Sequence, residues 1–329
     1  MRFALDEEQR AFGRSLDALL TAADTPSAAR AGAAGDRAPG LAVLAGAARA
    51  GLVALAVPET YDGMGLRPVE LVVALVELGR HAVPGPVVET VAAAALLAEL
   101  GGAGAEVGAL LPALVAGAPA TLVAPGGGPY ALDAEAAEVI VVADAERGEV
   151  RIAPGHGRVR VSADPVRRLA VPLPGGEVLA RGPAATAAAV RAGRLARLLT
   201  AARCLGAGRA LLDRTVAHVL GREQFGVPVG SFQAVKHRLA DTLIGLEFAR
   251  PLVFGAAVTR DVRDLAAAKA AAGEAGWAAA RTALQAHGAI GYTEEYDLSL
   301  WLRGARPLRD AWGGPDHCRS EVLTESGTW

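Results

Sequence analysis

The segment Arg222-Glu223-Gln224-Phe225-Gly226-Val227-Pro228-Val229-Gly230-Ser231-Phe232-Gln233 joins two helical patterns through a tight Gly/Pro loop. Arg222, Gln224 and Gln233 place polar donors on the two lips of that loop. A guanidinium, side-chain amides and the start of a helix can converge on an anion. By residue type alone, an Arg at a helix end also reads as a solvated cap. Ser231 is a good N-cap type and predicts that the next helix opens there. The six His and two Cys offer nothing comparable. His317 and Cys318 are adjacent, a spacing that suits no common metal site, so no metal is expected. Gly126-Gly127-Gly128 is followed by no Lys and Ser/Thr, which excludes a phosphate loop. Cys204 falls in a helical pattern beside Ala202 and Leu205 and reads as packing. Gly206-Ala207-Gly208 lies mid-helix and reads as close helix packing.

These residues need a frame. Apolar positions recur at helical spacing over 6–23, with Asp6, Glu7 and Glu8 in the first turn, where the helix dipole favours acids. A polar, Ala- and Gly-rich stretch covers 24–40. Further helices are predicted over 41–55, 68–82 and 86–101, the last two split by Pro84-Gly85-Pro86. The pattern changes at about residue 119. Thr121–Ala124, Val139–Ala143, Val150–Ile152, Arg158–Val161 and Leu169–Leu173 are short, β-branched or alternating, and punctuated by Gly and Pro. From 186 the helical period returns over 186–220, 232–258, 264–287 and 294–311, with short loops that suggest antiparallel neighbours in a bundle. The expected fold is α+β, mostly α. It comprises an N-terminal helical domain (1–118), a small reduced β domain (119–185) and a C-terminal four-helix bundle (186–329).

Composition narrows the function. The chain has 329 residues, enough for about two domains. Its formal net charge is −2, which argues against a nonspecific nucleic-acid binder. It is 52% hydrophobic and 21% charged, so disorder is not expected. No uninterrupted apolar run reaches about 18 residues, and the N-terminus is charged, so neither a membrane span nor a signal peptide is expected. Two Cys build no disulfide framework, which fits a reduced, cytoplasmic protein.

As a whole string, Arg222 to Asp241 closely resembles the signature of the acyl-CoA dehydrogenase family. A second match runs Gln285-Ala286-His287-Gly288-Ala289-Ile290-Gly291-Tyr292-Thr293-Glu294-Glu295-Tyr296, followed by Leu300-Trp301-Leu302-Arg303. Ala56-Val57-Pro58-Glu59 and Gly63-Met64-Gly65-Leu66 are also similar to family segments. The α–β–α order agrees. The resemblance covers 1–118 and 186–312 and is poor over 119–185. It implies FAD-dependent α,β-dehydrogenation of an acyl-CoA thioester. It also implies a tetramer of dimers with FAD at a subunit interface. Carried over residue by residue, Arg222, Gln224, Phe225 and Gln233 would lie at the FAD pyrophosphate. Gln285, His287 and Gly288 would lie at the ADP part of an FAD held mainly by a neighbouring subunit. The family's second Gly is Ala289 here, which crowds that approach.

The sequence departs from the family where the chemistry happens. The usual catalytic Glu, just before a Gly, falls on Trp312-Gly313. The alternative family position, before an Arg on the first helix of the last domain, falls on Ala196-Arg197. Neither an indole nor a methyl group can take a proton from carbon. Arg197 matches a family Arg that would shape the acyl-CoA pocket, or it is helix-surface charge. The stretch Thr121–Tyr130 lacks the flavin-edge donors of the family. Nucleotide-end motifs without a base imply one half of a heteromer, α2β2 with a homologous acyl-CoA dehydrogenase subunit. The paired, two-gene enzymes of actinobacteria, which often take bulky acyl-CoA such as steroid side chains, resemble this arrangement. Two other expectations stand beside it. One is a non-redox ligand-binding or tailoring protein on the same scaffold. The other is a homomeric dehydrogenase with its base moved, for instance to Asp310.

Overall fold

The computed structural model describes residues 4–101 and 105–324; residues 1–3, 102–104 and 325–329 lie outside it. Six helices come first: α1 (Glu7–Ala22), α2 (Thr25–Ala33), α3 (Ala38–Arg49), α4 (Pro68–Arg80), α5 (Val87–Leu100) and α6 (Ala105–Ala116). Asp6 caps α1 in a reciprocal box with Gln9, as its acidic first turn suggests. The stretch 24–40, read as polar and Ala-rich, instead forms α2 and the start of α3. Asp24 adopts a left-handed conformation and caps α2. Helix α5 is buried nearly all round, between α6, α7 and the first strand. It carries a single carboxylate among those buried residues, Glu89.

The middle segment folds into two small sheets. One has the order β1 (Ala120–Val123), β3 (Val139–Asp144), β4 (Glu149–Ile152), β7 (Glu177–Arg181), with β1 and β3 parallel. The other is β2 (Ala131–Leu132), β6 (Arg168–Ala170), β5 (Arg160–Val161). Thr90 of α5 pins the start of β1: its Oγ1 donates to the Ala120 carbonyl and accepts from the Ala120 amide, at 2.8 and 3.1 Å. Glu89 is thereby fixed beside the loop that follows β1.

The last part is helical: α7 (Pro183–Gly221), α8 (Gln233–Thr259), α9 (Val262–His287), α10 (Leu298–Asp310) and α11 (Pro315–Thr324). A hairpin of β8 (Glu223–Gln224) and β9 (Val227–Pro228) separates α7 from α8. The 39-residue α7 is the axle, packed on α4, α5, α8, α9 and α10. A Cβ on Gly206 would lie 1.9 Å from the Val76 carbonyl oxygen, so the mid-helix Gly is indeed close packing. Trp301 donates to the carbonyls of Gly79 and Arg80, both at 3.1 Å, and so ties α10 to α4.

Helix α8 is half clothed. It packs on α7 and α9, yet Ile244, Phe248 and Leu252 form an exposed stripe at spacing four; Phe248 is 73% exposed. Among the described residues it is the one helix long and apolar enough to cross a membrane by length and composition.

Candidate functional site

Two sites emerge at different depths. The first is at the surface. Phe225 and Gly226 both have positive φ, at 56° and 78°, and form the two-residue turn of the β8–β9 hairpin. The Val229 amide closes it by donating to the Arg222 carbonyl at 2.8 Å. The hairpin therefore projects Arg222 and Gln224 outward, and Phe225 is 93% exposed. Helix α8 opens at Gln233 rather than at Ser231. Its cap residue is Phe232, with no side-chain cap bond, because Ser231 is taken up in a 3-10 turn. The amides of the first turn are thus left without the Ser hydroxyl that was expected.

The second motif meets the first through two imidazoles. His287 stacks on His218 with centroids 4.1 Å apart, joining the end of α9 to the end of α7. His287 is fully buried, and its Nδ1–H donates to the Ala283 carbonyl at 2.8 Å. That leaves its Nε2, like that of His218, buried without a partner. Burial holds both imidazoles below their ordinary pKa, and for His218 the neighbouring His287 adds to the effect. His287 is thus a neutral spacer beneath the surface. Gln285, Gly288 and Ala289 lie outside it, exposed, and nothing crowds Gly288. Arg222, Gln233 and Gln285 make no side-chain hydrogen bond or ion pair among the described residues.

The second site is interior. Trp312 sits in the turn between α10 and α11, 5% exposed, at φ 55°. Three buried groups clamp that turn. Arg197 Nε donates to the Trp312 carbonyl at 3.2 Å, and its guanidinium pairs with Glu321. Lys269, fully buried, donates to the carbonyls of Arg309 and Gly313 at 2.6 and 2.9 Å. The indole Nε1–H donates to Glu89 Oε1 at 3.1 Å. A Cβ on Gly127 would lie 2.6 Å from the indole ring, so only Gly lets the loop after β1 close on it. Arg197 therefore serves the Trp312 turn. Ala196, the other position at which the sequence reading expects a base, is fully buried in α7.

Around this turn lies a cavity of about 330 Å³, lined by Glu89, Tyr130, Leu132, Arg167, Leu169 and Asp310 among others. Helix α10 ends at Asp310, so Asp310 and Trp312 share this cavity although two residues of helix would have set them apart. Asp310 itself lies near Arg306 and Arg309, at 3.8 and 3.9 Å. Glu89 went unremarked in the sequence; the one signal was a lone acid in the run Val87–Val91. Beyond Arg167 lies a buried polar knot. Burial raises Asp133 to about 6 against the pull of Arg37, and raises Asp164 as well. The Arg203 guanidinium, also buried, donates to the Val83 carbonyl at 2.7 Å.

Family models decide the relationship. The N-terminal domain of acyl-CoA dehydrogenases matches residues 6–118, and the C-terminal domain matches 186–327. The chain belongs to the acyl-CoA dehydrogenase family. It is 32% identical over 278 residues to the acyl-CoA dehydrogenase IpdE2 of Mycolicibacterium smegmatis, which covers 80% of this chain and 81% of that protein. Among solved structures, a variant of the Tcur3481–Tcur3483 steroid acyl-CoA dehydrogenase superposes with a TM-score of 0.83 at 25% identity, over 97% of this chain and 98% of that one. The ChsE4–ChsE5 complex of Mycobacterium tuberculosis shares the fold over 100% of both chains, at TM-score 0.83 and 24% identity. The mostly helical architecture with a small sheet portion is that of the family.

The FAD of this family can be tested against the side chains present. The surface site fits the nucleotide half: a free guanidinium, amide side chains and an uncrowded Gly suit an ADP moiety. The interior site does not fit the flavin half. The loop after β1 is closed on the Trp312 indole, and neither Trp312 nor Ala196, the two positions where the sequence reading expects a base, carries a carboxylate.

Proposed function

We propose that this chain is the base-lacking subunit of a heteromeric, FAD-dependent acyl-CoA dehydrogenase. The observation that carries the reading is the packed, hydrogen-bonded and clamped Trp312, at one position where the resemblance expects the base, with buried Ala196 at the other. A chain so built has no proton acceptor where its relatives need one. It still presents Arg222, Gln224, Phe225, Gln233, Gln285, Gly288 and Ala289 outward, positioned to be lent to the ADP end of a neighbour's FAD, with His287 supporting them from beneath. The bare stripe on α8 supports an obligate partner, because an apolar face of that kind is normally covered. The partner would be a homologous subunit, in an α2β2 complex, supplying the base and the flavin pocket. The likeness to a two-component steroid enzyme favours a bulky acyl-CoA as substrate, and the reading places the complex in the cytoplasm.

In this arrangement the residues of this chain bind and orient; none of them moves the substrate proton. FAD, when bound, supplies the hydride acceptor. Purified alone, the chain should be colourless and inactive on acyl-CoA. Co-expressed with a homologous subunit encoded beside it, it should yield a yellow complex with about one FAD per pair. Full dehydrogenase activity from the single chain would overturn the proposal. A second reading is favoured by the closure of Gly127 on Trp312: a non-redox ligand-binding protein on the same scaffold. It predicts that every co-expressed complex stays free of flavin.

A further inference from the structure

A further cluster lies on the N-terminal helices and shares no residue with either site above. Leu16 and Leu20 of α1 and Leu75 and Leu78 of α4 are fully buried, and the two helices pack on each other. That packing sets Asp17 of α1 at the seam, beside Glu77 and His81 of α4. Glu77 and His81 are four residues apart, so one face of the helix end presents both. His81 is the C-cap residue of α4, and its carbonyl accepts from the buried Thr25 hydroxyl at 2.6 Å, which fixes its backbone. Its Nε2 lies 2.8 Å from Asp17 Oδ1. One ligand-type atom from each of Asp17, Glu77 and His81 lies within 4.8 Å of the other two. The trio went unremarked in the sequence because Asp17 stands 64 residues before His81.

The protein's own cation does not use this cluster up. Arg80 Nη1 donates to Glu77 Oε2 at 3.0 Å and stands 3.8 Å from Asp17 Oδ1. Glu77 Oε1 and Asp17 Oδ2 accept no hydrogen bond among the described residues. With His81 neutral, two carboxylates face one guanidinium, and one negative charge is left over. Glu77 is only 15% exposed at its side chain, so that charge is poorly hydrated and a further cation is welcome. One imidazole nitrogen with two carboxylates is a ligand set for a borderline first-row ion rather than for Mg²⁺ or Ca²⁺. Zn²⁺ takes such ligands at about 2.0–2.2 Å, with water in the open position, so its ligand atoms stand about 3–4 Å apart. Small side-chain rotations bring the three atoms to that spacing. Asp17 is 45% exposed, and Glu77 and Arg80 also line an open cavity of about 420 Å³, so a hydrated ion has access.

We propose that Asp17, Glu77 and His81 bind a divalent first-row transition-metal ion of the zinc type, which staples α1 to the end of α4. The ion takes the place of the hydrogen between Asp17 and His81, and Arg80 keeps Glu77 Oε2 as an outer partner.

The test uses the full chain, freed of any affinity tag, and ZnCl₂ as the probe. Calorimetric titration should show one Zn²⁺ per chain with a Kd below about 100 μM, and Mg²⁺ should not compete. At about a hundred-fold excess of Zn²⁺ over Kd the melting temperature should rise by about 5 °C. His81→Gln, Asp17→Asn and Glu77→Gln should each weaken Zn²⁺ about ten-fold or more, and each variant's melting without metal shows that it is folded. The control is His317→Gln: His317 and Glu321 have the same spacing of four and lie 3.9 Å apart, but no third ligand joins them. That substitution should leave the Kd unchanged. No binding below about 100 μM overturns the proposal, as does competition by Mg²⁺. Zn²⁺ binding that survives in folded His81→Gln, or that is lost in His317→Gln, also overturns it.

Discussion

The surface site around Arg222 and the interior centre around Trp312 differ in who satisfies their polar groups. At the surface, Arg222, Gln233 and Gln285 make no side-chain bonds among the described residues, and the stacked imidazoles of half-buried His218 and buried His287 hold the two segments together beneath them. In the interior, Arg197, Lys269 and the indole N–H are all matched by carbonyls or carboxylates of the same chain. Donors left idle in water cost little, so idleness there is compatible with waiting for a ligand from outside. Donors that close on one another have made a scaffold. That contrast is what the proposed function expects of a chain that lends a cofactor-binding edge and keeps no reactive centre of its own. Glu89 Oε2 is an exception within that interior, buried without a hydrogen-bond partner.

The largest effect should come from opening the interior. Trp312→Ala removes a buried indole and leaves both oxygens of Glu89 unpaired, so we expect a loss of about 3–5 kcal/mol, read from urea unfolding midpoints at unchanged slope. A loss below about 1 kcal/mol would mean that the indole is not packed as described, and the contrast between the two sites would fail. The next effect comes from the buried knot beyond the cavity. Asp133 is held at about 6 mainly by burial, above its ordinary 3.8. Its folded form therefore binds a proton more readily than its unfolded form, and its contribution to stability is present at low pH and lost as pH rises through about 6. Relative to Asp133→Asn, the natural protein should gain stability on acidification from neutral pH to about 4. The full difference approaches about 3 kcal/mol, from about 1.4 kcal/mol per pK unit. Parallel pH profiles for the two proteins would refute it.

How far the sequence disclosed this depended on the range of the interactions. Helices α4, α5 and α7 to α10 were legible from periodicity and from Pro or Gly at their ends, because those signals are local. Helix α2 was not, since its start rests on Asp24 adopting a left-handed conformation in a stretch that looks polar. Nor was the shift of the α8 start from Ser231 to Gln233, where a 3-10 turn claims the Ser. The family was legible in the motif strings, and the matching family models bear that out; the roles given to Arg222, Gln285, Trp312 and Ala196 belong to the proposal. What could not be read was the pairing of Trp312 with Glu89. Glu89 sits 223 residues upstream, in a run whose pattern says only that it is buried. Arg197 likewise could be placed beside a base position from the sequence. That it clamps the Trp312 turn depends on packing between α7 and the turn before α11.

The smallest effect on stability should come from the surface site, and there the contrast is sharpest. Arg222→Ala alters an exposed side chain without partners, so unfolding should change by no more than about 0.5 kcal/mol. If the guanidinium is lent to a neighbour's FAD pyrophosphate, the same substitution removes a charge-assisted contact of about 1.5–3 kcal/mol. Flavin retained by the co-purified complex should then fall about ten-fold or more in equilibrium dialysis, while the chain alone melts as before. The interior variant Trp312→Ala should do the reverse, lowering the melting temperature of the chain while leaving the Arg222 hairpin competent to be lent. Flavin retention that is indifferent to Arg222→Ala, in a complex that does carry flavin, would remove the surface site from cofactor binding. The exposed hairpin would then be a solvated helix end and nothing more.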